Sequence, residues 1–292
     1  TRWWGSSCSP PCTGIKPYLN VGEVRIHYHE FGQGEPMVLI PGLCGDLYNW
    51  TKMVPLLKGS HHVILMDCRG SGLTEAPDRS FTMSEMADDV SGLMNGLGFS
   101  RYHVLGWSMG GNVAQEVALR HPNEVASLIL MSTYTRRPDR SSYAIDAMLN
   151  SVKEGASINN FMQMMNTWCL TQSHYSGKKL KPRQRDDVDE KGMLQGFLRQ
   201  KAALDGFDSG SRLHRVHCPT MVIHGEEDIM VPPYMGEDLA RGIVGSELVY
   251  VPGAGHIISP DKCASHIVSF LERSSIGIPA MEGGPAASLA RE

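Results

Sequence analysis

The sequence predicts an α/β fold: a mostly parallel central sheet with helices on both faces and a helical cap insertion. Three observations carry that expectation. Apolar runs of strand length alternate with helix-period segments from about residue 36 to 131. The alternation lapses from about Tyr134 to Val216, where helical spacing continues without a convincing strand. It then resumes to about residue 272, as though one sheet had been interrupted and completed.

The elements follow in order. Residues 1–20, rich in Pro, Ser, Cys and Gly, read as an irregular N-terminal arm. Val21–Phe31 alternates in polarity (Val24, Ile26, Tyr28) and predicts an edge hairpin ending at Gly32-Gln33-Gly34. Met37–Ile40 and His62–Met66 are continuous apolar runs, as in strands buried on both faces. Thr82–Leu97 has helical spacing and closes at Gly98. Arg101–Leu105 predicts a strand, Gly111–Arg120 a helix stopped by His121-Pro122, and Val125–Met131 the next strand. Within the insertion, Phe161–Trp168 and Met193–Leu204 are helical, and Lys178–Lys191 is a densely charged stretch expected to be a solvated loop. Thr220–His224 and Leu248–Val251 predict strands, Pro233–Arg241 and Pro260–Leu271 helices. The expected organisation is a core of residues 21–133 and 217–272, a cap of 134–216, and a flexible tail of 273–292.

Composition narrows the function. Hydrophobic residues make up 41% and charged residues 20% of the 292, as in an ordinary globular protein. A net charge of −4 argues against a nucleic-acid partner. No apolar run is long enough for a membrane span, and Thr1-Arg2-Trp3-Trp4 does not read as a signal peptide. Of seven cysteines, Cys44, Cys68, Cys169, Cys218 and Cys263 lie in apolar contexts and read as small core residues. Cys8-Ser-Pro-Pro-Cys12 admits a disulfide or half a zinc site, but no second pair at ligand spacing accompanies it. No metal or organic cofactor is expected, and reduced thiols in the cytoplasm are the default.

The chemistry concentrates at Gly106-Trp107-Ser108-Met109-Gly110-Gly111. An apolar run precedes it and a helical pattern follows. Strand, Gly-x-Ser-x-Gly turn and helix together lift a serine onto an exposed corner as a nucleophile. Such a serine needs a base of near-neutral pKa, which favours histidine. Position decides among twelve histidines: His256 stands in Pro252-Gly253-Ala254-Gly255-His256, directly after the last strand. The imidazole needs an orienting acid. Strand Thr220–His224 runs into Gly225-Glu226-Glu227-Asp228, where three carboxylates compete. Asp228 is preferred because it precedes an apolar residue and a Val-Pro helix entry. An oxyanion hole needs two backbone N–H groups. Met109, after the serine, supplies one, and Leu43, in the loop Pro41-Gly42-Leu43-Cys44-Gly45, the other.

Together these segments resemble the α/β-hydrolase fold superfamily, in its group of compact capped enzymes. The chain order Ser108, Asp228, His256 is that of the family. Asp67-Cys68-Arg69-Gly70-Ser71-Gly72-Leu73-Thr74 is similar to the family's D-x-R-G-x-G-x-S/T turn, with Asp67 and Arg69 in an architectural role. Where many members have His-Gly in the oxyanion loop, this chain has Pro41-Gly42. The resemblance covers about residues 21–272 and implies a serine esterase or lactonase working through an acyl-enzyme. C–C bond hydrolysis, cofactor-free perhydrolysis or peroxidation with the same triad, and a ligand receptor on the same scaffold are the alternatives.

The substrate is harder to read. Phe161, Met164, Met165 and Trp168 share one helical face. That stripe could line an apolar pocket with Trp50 and Trp107, implying a small ester or lactone with an apolar portion. Packing the cap onto the sheet is the simpler reading. Nothing in the sequence fixes the oligomeric state.

Overall fold

The computed structural model describes residues 17–176 and 190–277. Eight strands form one sheet: β1 (Tyr18–Val21), β2 (Val24–Phe31), β3 (Glu35–Ile40), β4 (His61–Met66), β5 (Tyr102–Trp107), β6 (Val125–Met131), β7 (Thr220–Gly225) and β8 (Glu247–Val251). Their order is β1-β2-β4-β3-β5-β6-β7-β8. The first two pairings are antiparallel and the rest parallel.

The continuous apolar runs have the expected cause. Every residue of β6 is buried, and all of β3 except Glu35 is buried or nearly so, because both faces of the parallel sheet are covered. Side chains alternate between two apolar clusters: Val38, Ile40 and Val104 face one side, Met37, Leu39 and Leu105 the other.

The helices are α1 (Val54–Leu57), α2 (Met83–Gly96), α3 (Met109–Arg120), α4 (Asp139–Lys153), α5 (Ile158–Cys169), α6 (Gln172–Tyr175), α7 (Glu190–Asp205), α8 (Tyr234–Gly242) and α9 (Pro260–Arg273). Thr82 starts α2 through a capping box: its hydroxyl accepts from the Glu85 amide at 3.2 Å, and the Glu85 carboxylate accepts from the Thr82 amide at 2.9 Å. The inserted helices α4–α7 stand between β6 and β7, and Phe161, Phe197 and Leu204 from them join the same apolar cluster as α2 and α3. None of the described helices is long and apolar enough to cross a membrane.

Two departures from the sequence reading have simple causes. β1 begins at Tyr18, inside the stretch read as an irregular arm; it pairs with β2 through a two-residue turn at Gly22-Glu23. The helices α1 and α6 have four residues each, too few for a 3.6-residue period to show. Cys8, Cys12, most of the Lys178–Lys191 stretch and the end of the tail lie outside the described residues.

Candidate active site

Ser108 links β5 to α3 with φ +55° and ψ −120°, a conformation that costs a non-glycine residue roughly 1–3 kcal/mol. Its surroundings hold it there. The Ser108 amide donates to Met131 O at 2.9 Å, and the Ser108 carbonyl accepts from Thr133 Oγ1 at 2.7 Å. The flanking glycines are required by close approach: a Cβ on Gly106 would lie 2.1 Å from Gly110 O, and one on Gly110 would lie 2.1 Å from Ile40 O. The corner is thus pressed directly onto the end of β3, from which the Pro41–Gly45 loop departs.

Two further strand ends bring their residues to this corner. Asp228 follows β7 and is buried, whereas Glu226 and Glu227 are exposed. Its Oδ1 accepts from the amides of Met230 and Val231 at 3.0 and 2.8 Å, and its Oδ2 lies 2.9 Å from His256 Nδ1. His256 Nε2 lies 2.9 Å from Ser108 Oγ. Burial would raise the Asp228 pKa, but the His256 charge and hydrogen bonds from His224 and His256 overcome it and hold the group down at about 2. An ionised carboxylate only accepts, so Nδ1 carries the proton and Nε2 is left to accept from the serine hydroxyl. The histidine loop is clamped on two sides: Trp107 Nε1 donates to His256 O at 3.0 Å, and the Ile257 amide donates to Cys169 O at 3.2 Å.

Above the serine lies a narrow cavity of about 70 Å³, lined among others by Leu43, Trp107, Arg137, Met165 and His256. Leu43 is the loop residue expected to offer its amide. Met109 occupies the first position of α3, where a backbone N–H has no intrahelical acceptor. Cys169 also lines the cavity, but burial, with the Asp228 charge adding to it, pushes its thiol up to about 12, so it stays protonated.

A sequence profile for the alpha/beta hydrolase fold matches residues 35–262. The chain is a member of the α/β-hydrolase family. It is 31% identical over 80% of its length to a 2-hydroxy-6-oxononadienedioate/2-hydroxy-6-oxononatrienedioate hydrolase of Cupriavidus pinatubonensis, covering 85% of that protein. Among solved structures it is similar to the enol-lactonase of Burkholderia xenovorans, at 26% identity and TM-score 0.77, covering 88% of this chain and 100% of that one. A thermophilic esterase of Thermogutta terrifontis matches at 26% identity and TM-score 0.74, over 89% and 99% of the two chains.

Within this α/β-hydrolase, the structure gathers Ser108, Asp228, His256, Leu43, Met109, Trp107 and Met165 around one point. It does not gather the other pocket candidates. Trp50 is buried in the apolar cluster of the other sheet face, beside Leu47 and Met53. Phe161 packs edge-on against Phe197, with ring centroids 5.0 Å apart. Trp168 lies under the Arg140 guanidinium, 5.1 Å from its ring centroid. Helical spacing shows that side chains share a face but not what that face meets.

Two contributors escaped the sequence reading. Gln200 of α7, fully buried, accepts from the Cys44 amide at 2.9 Å and donates to Arg69 O at 2.9 Å. It therefore ties the Pro41–Gly45 loop to the Asp67–Thr74 turn. That turn is itself pinned: Asp67 accepts from the Leu47 and Leu73 amides at 2.7 and 2.8 Å, and Arg69 donates twice to Asp89 at 2.6 and 2.7 Å. The second contributor is Arg137, which lines the cavity from the connection between β6 and α4. Glu35, His61 and His103 cluster at the starts of β3, β4 and β5, the sheet end opposite Ser108. There His103 is bonded to Glu35 at 3.0 Å and Ser127 at 2.8 Å.

Proposed function

We propose that this α/β-hydrolase is a serine hydrolase that cleaves a carboxylic ester or lactone of a small molecule through an acyl-enzyme. Ser108 is the nucleophile, His256 the base and Asp228 the acid that orients it. The observation that carries this reading is the unbroken line Ser108 Oγ–His256–Asp228, with 2.9 Å at each junction, set on a strained strand-to-helix corner.

His256 takes the Ser108 proton as Oγ attacks the carbonyl carbon. The charge that develops on the carbonyl oxygen is met by the Leu43 and Met109 amides. The tetrahedral intermediate collapses as His256 Nε2–H protonates the departing alkoxide. Water, deprotonated by His256, then attacks the acyl carbon and restores the serine. Asp228 remains ionised throughout and offsets the imidazolium, a role for which its low pKa suits it.

Residues 134–216 act as the cap over a core of 21–133 and 217–272, because Arg137, Met165 and Leu204 reach the cavity from the insertion. The cavity is about half the ~150 Å³ that accommodates a benzene ring, which favours a compact substrate. Leu43, Trp107, Ile145 and Met165 give it an apolar wall. The unbridged thiols Cys68, Cys169, Cys218 and Cys263 support residence in a reducing compartment, the cytoplasm.

C–C hydrolysis of an oxo-dienoate is the second reading, favoured by the Cupriavidus relative's activity. Turnover of p-nitrophenyl acetate by the wild type and by Ser108→Ala tests the proposal. Turnover should fall at least about 10³-fold in the variant. An unchanged rate would remove Ser108 from the mechanism, and wild-type inactivity on esters with activity on a 2-hydroxy-6-oxo-dienoate would select the second reading.

A further inference from the structure

The sheet end opposite Ser108 carries its own group of ionisable side chains, and parallel pairing assembles it. Glu35, the first residue of β3, is the register partner of His61, the first residue of β4. His103 of β5 is the register partner of Met37, two residues along β3 and so on the same face as Glu35. One donor atom each from Glu35, His61 and His103 lies within 4.8 Å of the other two. Both histidines are buried, and Glu35 is the member that meets solvent, with 12% of its side chain exposed. Its carboxylate has no Lys or Arg ion-pair partner among the described residues.

Each of the three side chains is also held from behind. Glu35 Oε1 accepts from Ser275 Oγ at 2.6 Å and from the Gly277 amide at 3.0 Å, which leaves Oε2 facing His103 Nε2 at 3.0 Å. His103 Nδ1 lies 2.8 Å from Ser127 Oγ, and His61 Nδ1 lies 2.9 Å from Ser60 Oγ. Two imidazoles and a carboxylate, each oriented by a hydrogen bond to another of its atoms, make a donor set suited to a borderline divalent cation. A hydroxyl behind the ring fits both states of the site, because it donates as well as accepts. Without an ion, His103 Nε2–H donates to Glu35 and Nδ1 accepts from Ser127. With one, the proton sits on Nδ1 and is donated to Ser127, and the Nε2 lone pair is free.

We infer that Glu35, His61 and His103 form a binding site for a zinc-type divalent cation, with water as the fourth ligand. Ligands of a tetrahedral zinc stand roughly 3.3 Å apart, so no pair has to close by more than about 1.5 Å, a movement within reach of side-chain torsions. The ion is structural. His103 precedes Ser108 by five residues along an extended strand, about 17 Å, so the ion does not reach the acyl-transfer site. It joins the starts of β3, β4 and β5, and through Glu35 it also ties down the chain that follows α9.

The test titrates the full chain, freed of metal with EDTA, with zinc chloride in a calorimeter. One saturable zinc per chain is expected, with a Kd of about 10 µM or tighter. Magnesium, which takes oxygen ligands, should not bind there. Zinc at about 100 times its Kd should raise Tm by about 5 °C. His61→Gln and Glu35→Gln should each weaken zinc binding at least about 10-fold and abolish the Tm shift. Cobalt(II) loaded into the wild type gives a readout that needs no variant: the intense visible absorption of a four-coordinate ion, bleached when zinc displaces it. Turnover of p-nitrophenyl acetate by the zinc-loaded protein should stay within about 2-fold of the metal-free rate, as for a structural rather than a catalytic ion. Absence of zinc binding, an affinity unchanged in both variants, or the weak spectrum of six-coordinate cobalt would overturn the site. Inhibition that follows zinc occupancy would place the ion on His256 and overturn it as well.

Discussion

Replacing Gln200 with leucine should lower kcat without raising KM. Gln200 is fully buried and bonds at 2.9 Å to the Cys44 amide on one side and the Arg69 carbonyl on the other. Leucine fills nearly the same space and makes neither bond. Each lost buried hydrogen bond costs about 1–2 kcal/mol when its former partner stays dry, so stability should fall by about 2–4 kcal/mol. The functional cost comes from the neighbouring residue. Cys44 sits at φ +58°, a conformation that lies about 1–2 kcal/mol uphill for an L residue and needs outside support. Without Gln200 the loop relaxes, and the adjacent Leu43 amide moves off the position of the developing oxyanion. Complete loss of one oxyanion donor costs about 10²–10³ in kcat, so displacement of one should cost roughly 10- to 30-fold. Because the donor acts only once charge has developed, KM should stay within about 2-fold. Steady-state kinetics on p-nitrophenyl acetate, read beside urea unfolding, separates the two effects. A urea midpoint that falls while kcat stays within about 2-fold would refute the reasoning and reduce Gln200 to a structural bridge.

Other expectations follow from the same geometry. Asp228→Asn should reduce kcat about 10³- to 10⁴-fold, because an amide can donate to Nδ1 and so select the wrong tautomer; a loss under 10-fold in steady-state assays would mean the carboxylate is not the orienting group. The Asp228 pKa of about 2 lies below its unfolded value near 3.9, so the ionised group contributes about 2 kcal/mol above pH 4 that fades as pH falls toward 2. Urea midpoints should therefore drop more steeply for the wild type than for Asp228→Asn between pH 5 and pH 2.5, and parallel curves would contradict this. Met165→Ala should widen the cavity and raise kcat/KM for hexanoate relative to acetate esters, whereas Trp168→Ala, outside the lining, should lower Tm and leave that ratio alone. Gly110→Ala places a Cβ 2.1 Å from Ile40 O and should abolish both soluble expression and activity; a stable, active variant would show that the corner has room to spare.

Which of these residues the sequence could reveal depends on whether each sits at a landmark that survives in one dimension. Ser108, Asp228 and His256 each follow the C-terminal end of a parallel strand, and parallel strands announce themselves as apolar runs. Glycines mark the same turns because the backbone is crowded there, as the 2.1 Å contacts at Gly106 and Gly110 show. Gln200 and Arg137 have no such landmark. Gln200 meets Arg69 across 131 residues and Cys44 across 156, contacts that exist only once α7 has docked on the sheet. Arg137 makes the point most sharply, because its neighbour is also an arginine. In Arg136-Arg137 one side chain is 63% exposed and paired with Asp139 at the surface, and the other is 7% exposed beside Ser108 in the cavity. Composition and charge patterning treat the two alike. What separates them is that α4 begins two residues later and turns one flank of the chain inward, so a single step along the backbone divides an exposed, solvent-screened ion pair from a buried, half-satisfied cation. A screened pair contributes little to stability, whereas a buried guanidinium depends on every partner it has.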